Sequence, residues 1–584
     1  MDNLILEQMK QQLQHEVKNG TNDPNRFHVY AWEAGLGKST HVNNSIREYF
    51  NDHGFESNVN KYLIVKKFKT DVYETVEQLE KSDALKMYGD YGVLGITGDN
   101  IASYTTEQVR NCKVLVITHT RYIAACEKEL IESFGKRDVL IIDEQVQFPV
   151  MKFGRAEYNT KRQQIHLYEG QALFDKCLLP LLDWLDTIYK EKEYNNIITF
   201  KGEFCKEPLN DFKKWVKKNT NAGRKNKYNE LVQEIESLYN KNNLGFIHND
   251  TLFFIDQGKR FRKLKSNIIL DASADITPLY QLKNHFNVVE KRLSINHSQS
   301  KIMCMPVNTS KSGMKNYRDN IIKDIQHRLR KMKNIDKQAL IVCHKENSTE
   351  LLSGLKQTLG EKIYIPNEES MEEEALQTIA AVDWYGNIVG KNTYREYDIC
   401  MIVGTFNMPL PVYLLQFFQY NRQVDPTQLP DKLELESGHF KSEKFEEIRK
   451  AFVAADFYQA ARRIQRNQNP KAVYILYTYD EDVLHAFKNK FKDIGDVLYL
   501  NRESIMEKEV SPRKEKAIQM LMYIAENVEV GELIAKQNLA HAISVSESNF
   551  SRYLKNDVMQ KHVEQEDIEI RNKDIIKKSD FVVV

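Results

Sequence analysis

The residues best suited to chemistry lie in three short stretches far apart in the chain. The first is Gly35-Leu-Gly37-Lys38-Ser39-Thr40, set between the apolar run Phe27–Trp32 and a polar stretch of helical character, residues 41–49. Glycines at a strand-to-helix turn let backbone N–H groups close on phosphate oxygens, and the helix N-terminus adds positive potential. Lys38 would reach the β- and γ-phosphates, and the Ser39 hydroxyl would bind Mg²⁺. The full phosphate-loop pattern also has a glycine at the position occupied here by Trp32. The second stretch is Asp143-Glu144-Gln145, which ends the apolar run Val139–Ile142. There Asp143 would hold Mg²⁺ through water and Glu144 would polarise an attacking water. The third is Arg462, Arg463 and Arg466 on one expected helix, residues 452–468. Residues three or four apart on a helix share a face, so two guanidiniums can point the same way.

These stretches need a scaffold, and the surrounding pattern supplies one. Apolar runs at 61–65, 113–118 and 138–142 alternate with helical patterns at 72–85 and 121–134. That alternation predicts a parallel sheet covered on both faces, with ligands at the carboxyl ends of its strands. A second α/β block begins near Lys301, with strands at 338–344, 397–404 and 472–477. Residues 150–265 read as a mainly helical insertion, with helices at 178–192 and 209–218. Within it, Lys213-Lys-Trp215-Val-Lys-Lys218 and Arg224-Lys-Asn-Lys-Tyr228 interleave basic and aromatic residues. They suit either a stacking platform for nucleic acid or a solvated basic face. Thr251–Ile255 and Asn267–Asp271 read as strands around the turn Asp256-Gln-Gly258.

Composition narrows the class. The 584 residues are 41% hydrophobic and 28% charged, which fits a folded chain of several domains. A net charge of +1 confines any basic surface to local patches. Seven scattered cysteines with no C-x-x-C pair point to reduced thiols and a cytoplasmic location. No apolar run nears the roughly 20 residues of a membrane span, and no signal peptide is evident.

In this order the pieces resemble a superfamily 2 helicase of the DEAD/DEAH type. Gly35–Thr40 is similar to motif I, and Thr118-His119 to a nucleic-acid motif of the first lobe. Asp143-Glu144-Gln145 is similar to motif II, with Val146 where Asp or His is usual. Asp271-Ala-Ser-Ala274, Ile341–His344 and Gly390–Asn392 with Asp398–Gly404 are similar to motifs III, IV and V. Gln459-x-x-x-Arg463-x-x-Arg466 resembles motif VI, with Arg462 and Gln465 in place of the usual glycines. The resemblance covers about residues 25–480. It implies two RecA-like P-loop lobes with ATP and Mg²⁺ between them. Gly35, Gly37, Lys38, Ser39 and Thr40 would hold nucleotide, and Ser39 and Asp143 the metal. Glu144, Gln459, Arg463 and Arg466 would be catalytic, the two arginines acting as fingers from the second lobe. Thr118 and His119 would touch nucleic acid.

The segment 534–555 resembles a helix-turn-helix. Ile534, Leu539, Ala540, Ile543, Val545, Phe550 and Leu554 have the spacing of its core. Ser546 would cap the second helix, and Asn549, Arg552 and Lys555 would face DNA. The expected fold is therefore α/β: lobe one at 1–149 and 266–300, the insertion at 150–265, lobe two at 301–505 and an all-α domain at 506–584. The expected function is an ATP-dependent DNA helicase or translocase that hydrolyses ATP. The alternatives are a DNA-binding switch or loader without unwinding, working with replication or mobile-element proteins, and a scaffold with a degenerate loop.

Overall fold

The computed structural model describes residues 2–579 apart from 55, 57, 194, 200–205, 220–221, 241, 282–284, 290–294, 334–336, 360–362, 365–377, 389–392, 423–433, 437–438, 503–504, 506–511, 544 and 546. By packing it forms two compact units, Met1–Lys315 with Gln326–Leu500, and Asn316–Ile325 with Asn501–Val584.

The larger unit contains two seven-stranded parallel sheets. The first joins β1 (Phe27–Tyr30), β2 (Tyr62–Lys66), β3 (Val93–Ile96), β4 (Val114–Thr118), β5 (Val139–Asp143), β10 (Ser266–Leu270) and β11 (Phe286–Val289), in the order β11-β1-β10-β5-β2-β4-β3. Val, Ile and Leu dominate β2, β4 and β5, which are buried on both faces, as a doubly covered sheet requires. The register sets Leu270 beside both Tyr30 and Asp143. The loop after β1 and the carboxylates after β5 therefore emerge at the same sheet edge, with β10 between them.

The second sheet joins β12 (Lys301–Met305), β13 (Ala339–Cys343), β14 (Ile363–Tyr364), β15 (Ala380–Trp384), β16 (Ile399–Val403), β19 (Val473–Tyr477) and β20 (Leu498–Tyr499), in the order β14-β15-β13-β16-β19-β12-β20. A short hairpin, β17 (Leu435–Glu436) with β18 (His439–Phe440), lies between β16 and β19 in sequence. The helix Glu443–Ala461 starts nine residues before its expected boundary and ends at Ala461, so Gln459 is on it but Arg462, Arg463 and Arg466 lie on the turn and loop that follow and not on one helix.

Several expectations change. Residues 150–265 do contain long helices, Tyr168–Lys190, Lys206–Asn219 and Ala222–Leu238. They also contain a four-stranded antiparallel sheet, β6 (Met151–Phe153), β7 (Ile197–Thr199), β8 (Asn243–His248) and β9 (Thr251–Asp256). The hairpin closes at Asn249-Asp250, with Asn249 at φ 54°, not at Asp256–Gly258. Residues 266–270 instead enter the parallel sheet beside β1 and β5. The aromatic residues of the basic stretch are folded inward while Lys214, Lys217 and Lys218 face solvent: Trp215 is 4% exposed, stacks on Phe212 and packs against Tyr228. A Cβ on Gly170 would lie 2.3 Å from the Trp215 ring, so that position accepts only glycine without displacement. Trp215 is core, not a stacking platform.

The smaller unit is not all-α. The helices Pro512–Asn527, Lys536–Ala542, Glu547–Leu554 and Asp557–Glu564 accompany β21 (Leu533–Ala535), β22 (Ile568–Ile570) and β23 (Asp574–Lys577), antiparallel in the order β21-β23-β22. Its core holds Leu539, Ala540, Ile543, Phe550 and Leu554 with Ile524, Met559 and Ile575; Ile534 and Val545 pack on it. Arg552 and Lys555 are exposed. Ser544, Ser546 and the side chain of Asn549 lie outside the described residues, as do Gly390–Asn392. No described helix is long and apolar enough to cross a membrane.

Candidate phosphate-binding cleft

The turn after β1 does what its glycines permit. Gly35 and Gly37 take φ 93° and 72°, and the helix Lys38–His53 starts directly after Gly37. Trp32 is buried and keeps a negative φ, so nothing at its position demands a glycine. Lys38 Nζ folds over the loop and donates to the carbonyls of Trp32 at 2.7 Å and Glu33 at 3.3 Å. Ser39 Oγ donates to Asp143 Oδ2 at 2.7 Å. This contact spans 104 residues and joins the first two stretches into one site. Thr40 is exposed on the first helical turn.

Asp143 is also paired with Lys66, whose Nζ lies 2.7 Å from the same Oδ2. Burial alone would raise its pKa, but Lys66, Ser39 and Lys38 outweigh it and hold the carboxyl below its usual range. An ionised aspartate oxygen and a serine hydroxyl meeting at one point form a hard donor pair that suits Mg²⁺. Lys66 already places one positive charge there. Among the described residues no group of three or more His, Cys, Asp and Glu is gathered to hold a metal.

Glu144 adopts a left-handed backbone, φ 70°, while its N–H donates to Leu270 O at 2.9 Å. Such a conformation costs a non-glycine residue of order 1–3 kcal/mol and needs the surroundings to enforce it. Its carboxylate stands between Lys67 Nζ, 3.7 Å from Oε2, and Arg463 Nη2, 3.8 Å from Oε1. Arg463 comes from the second lobe and is 6% exposed. Asp71, on the helix Lys69–Leu79, is raised to about 6 by burial and by the nearby charges of Asp143 and Glu144, with Lys66 opposing.

The second lobe closes the cleft with three arginines. Arg462 is fully buried and its Nη2 donates to Ala34 O at 3.2 Å. The side chain of Arg466 lies over the loop, with Cβ and Cγ 3.4 Å from where a Cβ of Gly35 would stand. Burial and the neighbouring Arg463 and Arg462 pull Arg466 down to about 9. Gln459 Nε2 donates to Ser273 Oγ at 3.3 Å, and Ser273 is bound by Asp271 through both its N–H and Oγ. Lys490 pairs with Asp275 at 2.9 Å, a second link between the lobes.

The expected strand residues sit behind the carboxylates. His119 is 7% exposed and its Nε2 is 2.8 Å from Asp143 O; burial drives its pKa down to about 4, so at neutral pH the ring is uncharged and donates from Nε2. The Thr118 hydroxyl caps the helix His119–Ala125 by accepting from Arg121 N. His119 thus braces the segment that carries Asp143 and, being buried, presents no surface to a nucleic acid, while Thr118 serves its own helix.

Sequence reasoning missed Lys66, Lys67, Asp71 and the helix Leu410–Tyr420. That helix leaves the second lobe and grips the chain just after Glu144: Tyr420 OH donates to Val146 O at 2.6 Å and Gln416 donates to Phe148 O. Lys66 and Lys67 end a strand one position from the sheet's carboxyl edge, which is a usable signal. The grip spans some 270 residues, and nothing local announces it.

No family model matches the chain, and no curated protein matches it. Solved structures do. One described as XPD in its apo form aligns at TM-score 0.51 and 14% identity, covering 84% of this chain and 100% of its own. Another described as an XPD helicase aligns at TM-score 0.51 and 14% identity, over 85% and 99%. The fold is the two-lobed α/β architecture of those structures. At this identity the likeness concerns architecture, and the chemistry rests on the cleft itself.

Proposed function

We propose that the chain is an ATP-dependent nucleic-acid motor, a helicase or translocase acting on DNA. The observation that carries this reading is the convergence of Lys38, Ser39, Asp143, Glu144 and Arg463 from three separate stretches of the sequence into one cleft. On ATP binding, Lys38 exchanges its loop carbonyls for phosphate oxygens. Ser39 and Asp143 are the residues that would hold Mg²⁺, whose charge neutralises the phosphates. Glu144 orients the attacking water, and Arg463 and Arg466 approach the transferred phosphoryl group from the second lobe. Gly35, Gly37 and Thr40 shape the phosphate cradle, and Gln459 reports closure to Ser273.

The C-terminal unit has its own core and exposes Arg552 and Lys555 on and just after one helix, which favours a second, duplex-DNA contact. On that feature a DNA-loaded switch that does not unwind is the second reading. The six described cysteines are buried free thiols, in keeping with a cytoplasmic protein.

Glu144→Gln tests the assignment. It removes the base but keeps shape and neutral hydrogen bonding. The variant should bind ATP with affinity close to wild type and hydrolyse it about 10²- to 10⁴-fold more slowly. Undiminished turnover would remove Glu144 from the site.

A further inference from the structure

Three guanidiniums converge at a place that the phosphate cleft does not use. Arg260 and Arg262 follow β9 in sequence, and Arg422 follows the helix Leu410–Tyr420. With Asn242, Gln257 and Gly258 they line a cavity of about 510 Å³ in which, among the described residues, none is acidic and none has an apolar side chain. Two of the arginines are held in fixed orientation. Arg422 donates to the carbonyls of Gln257 at 2.5 Å, Lys259 at 2.8 Å and Gln419 at 3.4 Å. Arg262 donates to Cys126 O and Glu127 O, both at 3.1 Å, and pairs with Glu129 at 2.6 Å. A guanidinium has five N–H donors, so each retains capacity for a ligand. Arg260 is exposed.

Among the described residues the three arginines outnumber the carboxylates that act on them. Glu129 is 63% exposed and therefore well screened. Asp256 attracts Arg422 and also accepts the N–H of Gly258 at 2.7 Å. Burial and repulsion from Arg260 lower Arg422 to about 10, which still leaves it charged at neutral pH. Carbonyl oxygens orient these groups without neutralising them. Among the described residues the lining offers no carboxylate for a cation and no apolar wall for a base. Guanidinium forks match the geometry of phosphate oxygens.

We infer that the cavity framed by Arg260, Arg262 and Arg422 binds a backbone phosphate of a single nucleic-acid strand, an inference that rests on the motor reading above. The helix Leu410–Tyr420 then has two duties. Its C-terminal end presents Arg422 to the strand, and its Tyr420 and Gln416 hold Val146 and Phe148, just beyond Glu144. A phosphate drawn into the cavity acts on the element that positions the hydrolytic carboxylate.

The test uses the full chain and a fluorescent oligothymidylate of about twenty nucleotides, titrated at several salt concentrations; each single-strand phosphate contact contributes about 0.7 to the log–log salt slope. Arg260 is exposed, so Arg260→Glu leaves the fold intact. Its affinity should fall at least about tenfold and its slope should flatten by about 0.7, with Arg260→Lys close to wild type. ATP turnover without nucleic acid should not change. Wild-type affinity and slope in Arg260→Glu would overturn the inference alone. Weakened binding of free tripolyphosphate with strand binding untouched would also overturn it, assigning the cavity to a small polyphosphate. A wild-type protein that binds no strand would remove the motor reading as well.

Discussion

Two sets of three arginines occupy this molecule, and their surroundings differ in one respect. In the cleft, Arg463 meets the carboxylate of Glu144, and Arg462 lies in the field of the buried Glu33. In the cavity, Arg262 and Arg422 meet mostly backbone carbonyls, and Glu129, the carboxylate paired with Arg262, faces water. Matched charges describe a site already assembled, which a nucleotide enters by exchanging partners. Unmatched charges describe a site whose counter-ion is still to come. The same residue type thus serves transition-state chemistry in one place and strand capture in the other.

The largest effect that could break this contrast is on the cleft side. Arg463→Ala should lower ATP turnover by about 10³- to 10⁵-fold, the range for an arginine finger, while nucleotide affinity changes far less. Steady-state hydrolysis with a separate nucleotide-binding titration decides it. A fall in affinity equal to the fall in turnover would make Arg463 a binding residue, not a finger.

A smaller effect sharpens the contrast with a third basic stretch, Lys213–Lys218. In sequence its interleaved basic and aromatic residues suit a nucleic-acid platform. Its Trp215 is buried beside Phe212 and against Gly170, so Trp215→Ala should cost about 3–5 kcal/mol of stability in the insertion. Urea denaturation followed through the insertion should show an earlier transition. An unchanged midpoint with weakened strand binding would restore the stacking role and cost the arginine cavity its distinction.

The cleft was legible in the sequence to the extent that its parts are local. Gly35, Gly37 and Lys38 must be close in sequence because one turn builds the loop. Asp143 and Glu144 must end a strand because the sheet's edge is where they act. What brings them together is long-range, and so the pairs Lys66–Asp143 and Arg463–Glu144 could not be read. The hairpin misplacement has a local cause. Asn249-Asp250 is a good two-residue turn, but Asp256–Gly258 competes with it and carries the glycine. In the C-terminal unit, Ile568-Glu-Ile570 and Asp574–Lys577 are strands too short for alternation to stand out from helical spacing. The arginine cavity joins residues 160 positions apart, and no motif spans it.

The central claim is that ATP is hydrolysed at the Lys38 loop in response to a nucleic-acid strand. The most direct measurement is ATP turnover with and without single-stranded DNA, for wild type and Lys38→Ala. Wild-type turnover should rise when the strand is added, and the variant should show neither basal nor stimulated hydrolysis. Turnover indifferent to the strand, or retained in Lys38→Ala, would contradict the account.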